Sequence, residues 1–163
     1  MDRRQMLVGG VAVASLLPMA SGVAAQAATI EQDKVPALQG GAFAKMSSEL
    51  ALTKATNETV RVFAELEAAE QAAVSEAFGA TGAEIPLRED HAAMMAELEA
   101  AEGAAFDTMY VEGQIAGHEE LRGIHATYSE SGSDPMAQGA SMVGVPSIDT
   151  HLVLLRGIRS QLG

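Results

Sequence analysis

The sequence predicts an all-α protein: an up-and-down four-helix bundle with a short extra helix, behind an N-terminal export signal. Three observations predict it. Strong helix formers (Ala, Glu, Leu, Met) dominate after residue 41, with few β-branched runs. Gly, Pro and Asn divide that region into five stretches of helical length. The first 27 residues are composed differently from everything that follows.

Those residues carry the three parts of a bacterial export signal. Arg3-Arg4 is the charged head, Met6–Met19 the apolar middle, and Ala25-Gln26-Ala27 the small-residue exit. No charged side chain occurs from Gln5 to Ile30. The arginine doublet favours the twin-arginine route, although Met6, Asp2 and Val8 depart from the usual pattern. The alternatives are an ordinary secretory signal or an uncleaved anchor, since the run is long enough to cross a bilayer at roughly 20 residues. Gly9, Gly10, Ser15, Pro18 and Gln26 make it a weak spanning helix. The expectation is cleavage after Ala27, a location in the periplasm or another extracytoplasmic space, and no membrane span thereafter. With no cysteine in the chain, a lipid-anchored lipoprotein is excluded.

The chain of 163 residues carries 10 Lys and Arg against 22 Asp and Glu. Removing Asp2, Arg3 and Arg4 with the signal leaves 8 basic and 21 acidic residues, a formal charge of −13. Such a surface repels phosphate backbones and anionic headgroups, so nucleic-acid binding is not expected. It suits solubility, metal ions or a cationic protein partner. The absence of cysteine also removes disulfides, thiol chemistry, thiolate zinc sites and iron–sulfur clusters. Tryptophan is absent and aromatic residues are few, which argues against carbohydrate-stacking platforms. The oligomeric state is not legible.

The elements follow in order. Residues 28–41 read as a linker ending in Gly40-Gly41, and residues 42–162 as the bundle domain. The first helix is expected over Ala42–Ala55. Asn57 is a good N-cap for a second over Glu58–Phe78, ended by Gly79 and Gly82. A third is expected over Arg88–Glu102, a fourth over Ala104–Ser131, and a fifth over Met136–Leu162 after Asp134-Pro135. Val145-Pro146 is expected to kink or interrupt the fifth. The near-repeat of Ala64–Ala73 in Ala96–Ala105 has unmatched flanks and reflects low-complexity Ala–Glu helix.

At about 100° per residue each side chain takes a direction. In the second helix Val60, Phe63, Leu66, Val74, Ala77 and Phe78 share a sector, with Glu70 in its middle and Glu67 close by. In the fourth, Gln114, His118, His125 and Asp107 fall among Phe106, Tyr110, Val111, Ile115 and Leu121. In the fifth, His151 is at the centre of a stripe of Ile148, Leu154, Leu155, Ile158 and Leu162. In the first, Glu49 sits at the edge of Phe43, Met46 and Leu50. Inward Glu and His at mid-helix are how bundles build metal sites, and a buried carboxylate must be paired or metal-bound. The candidate ligands are therefore Glu49, Glu70, His118 and His151, a donor set suited to Fe, Mn, Zn or Cu. Gln114, Tyr110 and His125 are candidates for the surrounding shell. The same residues also fit a structural Glu–His network, and that is the reading the sequence favours over metal binding. His91 is expected to pack with Met94, Met95 and Leu98. The six methionines beyond the signal are scattered as core filling rather than clustered for copper. No nucleophile elbow, phosphate loop or dinucleotide fingerprint is present, so no catalytic residue is assigned.

Several strings carry a resemblance. Gly41-Ala-Phe-Ala-Lys-Met-Ser-Ser-Glu49-Leu-Ala-Leu-Thr-Lys-Ala55 is followed by Val60-Arg-Val-Phe63-Ala64. The more specific string is Phe106-Asp107-x-x-Tyr110-x-x-x-Gln114-x-x-x-His118, with Val145-Pro146-x-x-x-x-His151-Leu152 after it. Together they resemble the bacterial "domain of unknown function 4142" family over about Gly40–Leu162. The resemblance implies an exported, ferritin-like helical bundle whose biochemical activity is not established. One departure stands out: family members commonly carry Asp-His where this chain has Glu70-Gln71. The reading drawn from all of this is a periplasmic bundle with a structural or envelope-stress binding role. A metal-binding ferritin-like protein and an acidic interaction module are the alternatives.

Overall fold

The computed structural model describes residues 30–163. The export signal and the first two residues of the expected linker lie outside the described residues. Five α-helices and no strand occur among those described: α1 (Val35–Lys54), α2 (Glu58–Ala77), α3 (Glu89–Ala100), α4 (Gly103–Ser131) and α5 (Pro135–Leu162).

Local chemistry sets the boundaries. The Asn57 side chain accepts from the amides of Thr59 and Val60 at 2.9 and 3.2 Å, capping α2 as its residue type requires. Gly79 follows α2 with φ 73°, a left-handed conformation that suits glycine. Asp134 caps α5 through the amides of Met136 and Ala137, and Pro135 fills the first helical position.

Two expectations are corrected. The segment expected to be a linker up to Gly41 is helical from Val35, with Pro36 in the first turn. Gly40 and Gly41 do not break α1; they let it approach its neighbours. A Cβ at Gly40 would meet Leu121 Cδ2 at 2.6 Å, and one at Gly41 would meet Gln71 Oε1 at 2.7 Å. Nor does Pro146 interrupt α5, which is helical through Leu162. Pro146 and Met142 both lie on the exposed side, where the carbonyl left without a helical donor can meet water.

Helices α1, α2, α5 and α4 form a ring in which each packs on the next. Paired residues give the directions. Ser48 meets Tyr110 while Lys34 meets Asp134, so α1 and α4 are antiparallel. His118 meets His151 while His125 meets Ser141, so α4 and α5 are antiparallel. Glu67 meets His151 while Glu70 meets Ser147, so α2 and α5 are antiparallel as well. Helices α2 and α4 therefore run parallel on a diagonal. The stretch between them must return along the bundle, and α3 lies on that return, against α1 and α4. Two antiparallel pairs with one long crossover is the ferritin-like connectivity.

The large apolar core gathers Phe43, Val60, Phe63, Leu98, Phe106, Tyr110, Val111 and Leu155. A second cluster at the other end holds Leu38, Phe78 and Tyr128. His91 is buried, as expected, but stacks on Phe43 with ring centroids 4.6 Å apart and accepts from Arg88 at 2.9 Å. Asp107 is buried and accepts from Thr56 N, Thr56 Oγ1 and Asn57 N, tying the α1–α2 connection to α4.

Candidate metal centre

Three helices each place one ligand-capable atom at a common point in the bundle. Glu67 Oε2 of α2 lies 3.3 Å from His118 Nε2 of α4 and 3.1 Å from His151 Nδ1 of α5. The two imidazole nitrogens are 3.1 Å apart. The three atoms make a nearly equilateral triangle. Ligand atoms about 2.1 Å from a metal are separated by about 3.0 Å in an octahedron and about 3.4 Å in a tetrahedron. The observed edges fall in that range.

Both histidines are oriented from behind. His118 Nδ1 is 2.8 Å from the Gln114 carbonyl, which can only accept, so Nδ1 carries a hydrogen and Nε2 is the nitrogen turned toward Glu67. His151 Nε2 is 3.4 Å from Glu70 Oε2, which favours hydrogen on Nε2 and leaves Nδ1 facing inward. Ser147 Oγ in turn donates to Glu70 at 2.9 and 3.1 Å. Glu67 Oε1 accepts from Gln71 Nε2 at 2.9 Å, and Glu67 Oε2 has no hydrogen-bond partner despite its two close nitrogen neighbours. With both imidazoles neutral in these tautomers, three electron pairs would converge on one place.

The electrostatics belong to the metal-free state, in which imidazole N–H groups face Glu67. Burial would raise the pKa of Glu67, but the His118 and His151 nitrogens outweigh it and hold the carboxyl down, to about 2. Glu67 is an anion with no water around it, at 0 % exposure. The neighbouring Glu67 raises the pKa of His151 against the opposing effect of burial. Without a metal, a proton on His151 would be the positive charge beside Glu67.

Of the residues expected to ligate, the structure brings His118 and His151 together and sets Glu70 behind His151, half-buried between α2 and α5. Glu49 is not part of the cluster. Its side chain is 52 % exposed and pairs with Lys45 on the outside of α1. The face of α1 turned to the core is made of Phe43, as expected, with Ala44, Ser47, Ser48 and Ala51, and not of Met46, which is 43 % exposed. Among the shell candidates, Gln114 supplies the carbonyl behind His118, and Tyr110 bonds Ser48 Oγ at 2.9 Å. Burial raises the Tyr110 pKa. His125 lies away from the centre, bonded to Ser141 at 3.0 Å and against the edge of Phe78. The buried carboxylate that sequence reasoning passed over is Glu67. Leu66, at 61 % exposure, drew the apolar sector of α2 toward itself. The buried line Val60, Phe63, Ala64, Glu67, Gln71 is the true inner face, and Ala64 at its middle carries little hydrophobic signal.

The sequence matches the family described as Domain of unknown function (DUF4142) over residues 18–157. The chain belongs to that family. No curated protein and no solved structure matches it. Gln71, where the DUF4142 resemblance leads one to expect histidine, is the side chain that grips Glu67 Oε1 here. No helix among the described residues is long and apolar enough to cross a membrane.

Proposed function

We propose that this protein binds one divalent transition-metal ion inside an exported helical bundle, through Glu67, His118 and His151. The single observation that supports this most is the convergence of three ligand atoms, each 3.1–3.3 Å from the others. Two histidines and one carboxylate with open positions is a donor set suited to iron or manganese, and also accepted by zinc. Glu70 is the outer carboxylate that orients His151. The reading of an exported protein rests on the composition of residues 1–27, and fractionation of a cell producing the full chain tests it.

A second reading is a purely structural network in which protonated His151 bridges Glu67 and Glu70. The raised pKa of His151 favours it. Metal analysis by mass spectrometry separates the two, on protein exported and purified without tag or chelator. The metal reading expects near-stoichiometric metal in the native protein. It expects loss in Glu67→Gln and in the His118→Ala/His151→Ala pair, and no change in Glu49→Gln. If the native protein holds no metal and takes up none on titration, the network reading stands.

A further inference from the structure

Three protein ligands would leave coordination positions to be filled, and a second buried acceptor, one helical turn from His118 on α4, lacks a donor. Gln114 is 2 % exposed and sits one turn before His118 on α4. Its Nε2 lies 3.2 Å from the Ala44 carbonyl and 2.9 Å from Ser47 Oγ. The Ala44 carbonyl can only accept, which settles which end of the amide is nitrogen. Gln114 Oε1 is the other end of that amide, and it has no hydrogen-bond partner. A buried acceptor without a donor is costly, so the fold needs a reason to keep one. Glu67 Oε2 is unpartnered in the same core. Gln71 holds the other oxygen of Glu67, which keeps that carboxylate a one-atom ligand and leaves room on the metal.

Resting on the metal reading above, we propose that the centre carries a solvent-derived ligand, a water or hydroxide. Its O–H donates to Gln114 Oε1, and this is the position where a small exogenous oxygen or nitrogen ligand exchanges. A metal-bound water is a strong donor because the cation withdraws charge from its oxygen. It satisfies Gln114 as Glu67 Oε2 is satisfied by the metal itself. On the other side, Gln114 Nε2 reaches Ser48 Oγ at 3.3 Å, and Ser48 meets Tyr110. The exchangeable position is thereby tied to a rigid polar wall contributed by α1 and α4. Gln114 is a positioning residue and not a metal ligand.

The test uses the full chain loaded with Mn(II) alone and transferred to deuterated water, read by electron–nuclear double resonance. The expected result is a deuteron signal at the distance of coordinated water. In Gln114→Met, checked for folding by circular dichroism, the expected result is retained Mn(II) with an affinity lowered roughly 10- to 100-fold and an altered deuteron coupling. If the native chain binds no Mn(II), the metal reading and this inference fall together. If it binds Mn(II) with no coordinated deuteron, this inference alone is overturned. A coordinated water unchanged in Gln114→Met overturns the role of Gln114, and the native spectrum decides the water even if that variant does not fold.

Discussion

His125 shows how one side chain's surroundings set its consequence for the whole protein. It faces the edge of Phe78 and bonds a single hydroxyl, that of Ser141. Burial lowers its pKa below the ordinary value of 6.5. The unfolded chain therefore takes up this proton at a higher pH than the folded one. A histidine shifted downward contributes stability above about pH 6.5 that is lost as the pH falls toward its folded value. His151 is shifted upward by Glu67 and works in the opposite sense, so total stability is a poor readout. The difference between native protein and His125→Gln isolates the term. Urea unfolding of both from pH 7.5 to 5 should show the native protein's advantage shrinking as pH falls, with a slope of at most about 1.4 kcal/mol per pH unit. A difference that stays constant over that range would mean that His125 does not resist protonation in the fold.

At the scale of the helix, α1 serves the centre by staying out of its way. Gly41 lies where a Cβ would press on Gln71 Oε1, and Gly40 where one would press on buried Leu121. Alanine in a helix gains about 1 kcal/mol over glycine. At Gly40 the clash with a packed leucine outweighs that gain, and Gly40→Ala should lower stability by about 1–2 kcal/mol without changing metal affinity. At Gly41 the obstacle is the end of a long side chain. Gly41→Ala should therefore leave stability within about 1 kcal/mol of the native value. It should weaken metal binding roughly 10-fold as Gln71 is pushed off Glu67. Denaturant unfolding beside metal titration separates the two, and a Gly41→Ala protein that binds as tightly as the native one would sink the argument. The same small residues explain what the sequence could and could not tell. Helix existence was legible because Asn57, Gly79 and Asp134-Pro135 are chemical punctuation. The histidines were legible because α4 and α5 carry large apolar side chains on either side of them. The inner faces of α1 and α2 were legible only at Phe43, Val60, Phe63 and Phe78, because Gly41, Ala44, Ser48 and Ala64 pack closely with almost no hydrophobic signal, while Met46, Val62 and Leu66 remain exposed. That mismatch moved the expected carboxylate from Glu67 to Glu70 and drew in Glu49.

On the scale of the whole molecule, the centre joins parts of the chain that the topology keeps far apart in sequence. Glu67, His118 and His151 belong to three helices, and α2 and α4 are on a diagonal of the ring. Surface pairs already hold α4 to α5: Arg122–Asp149, Arg156–Glu119 and Arg159–Glu112. Exposed pairs of this kind contribute little, at about 0–1 kcal/mol each. No disulfide assists, since the chain has no cysteine. A metal ion bound only by the folded state would close three helices around one point and stabilise by mass action. At a free concentration 100 times the dissociation constant the gain is about 2.7 kcal/mol. For a folded region of this length, with about 2.1 cal/mol/K of unfolding entropy per residue, that raises the melting temperature by roughly 10 °C. Calorimetry of the full chain with added Mn(II) or Zn(II), and again after chelation, measures it directly. The rise should be present in the native protein, absent in Glu67→Gln, and reversed by the chelator. A melting temperature indifferent to both metal and chelator would mean that protonated His151 alone neutralises Glu67. The buried triangle would then be a polar brace between helices.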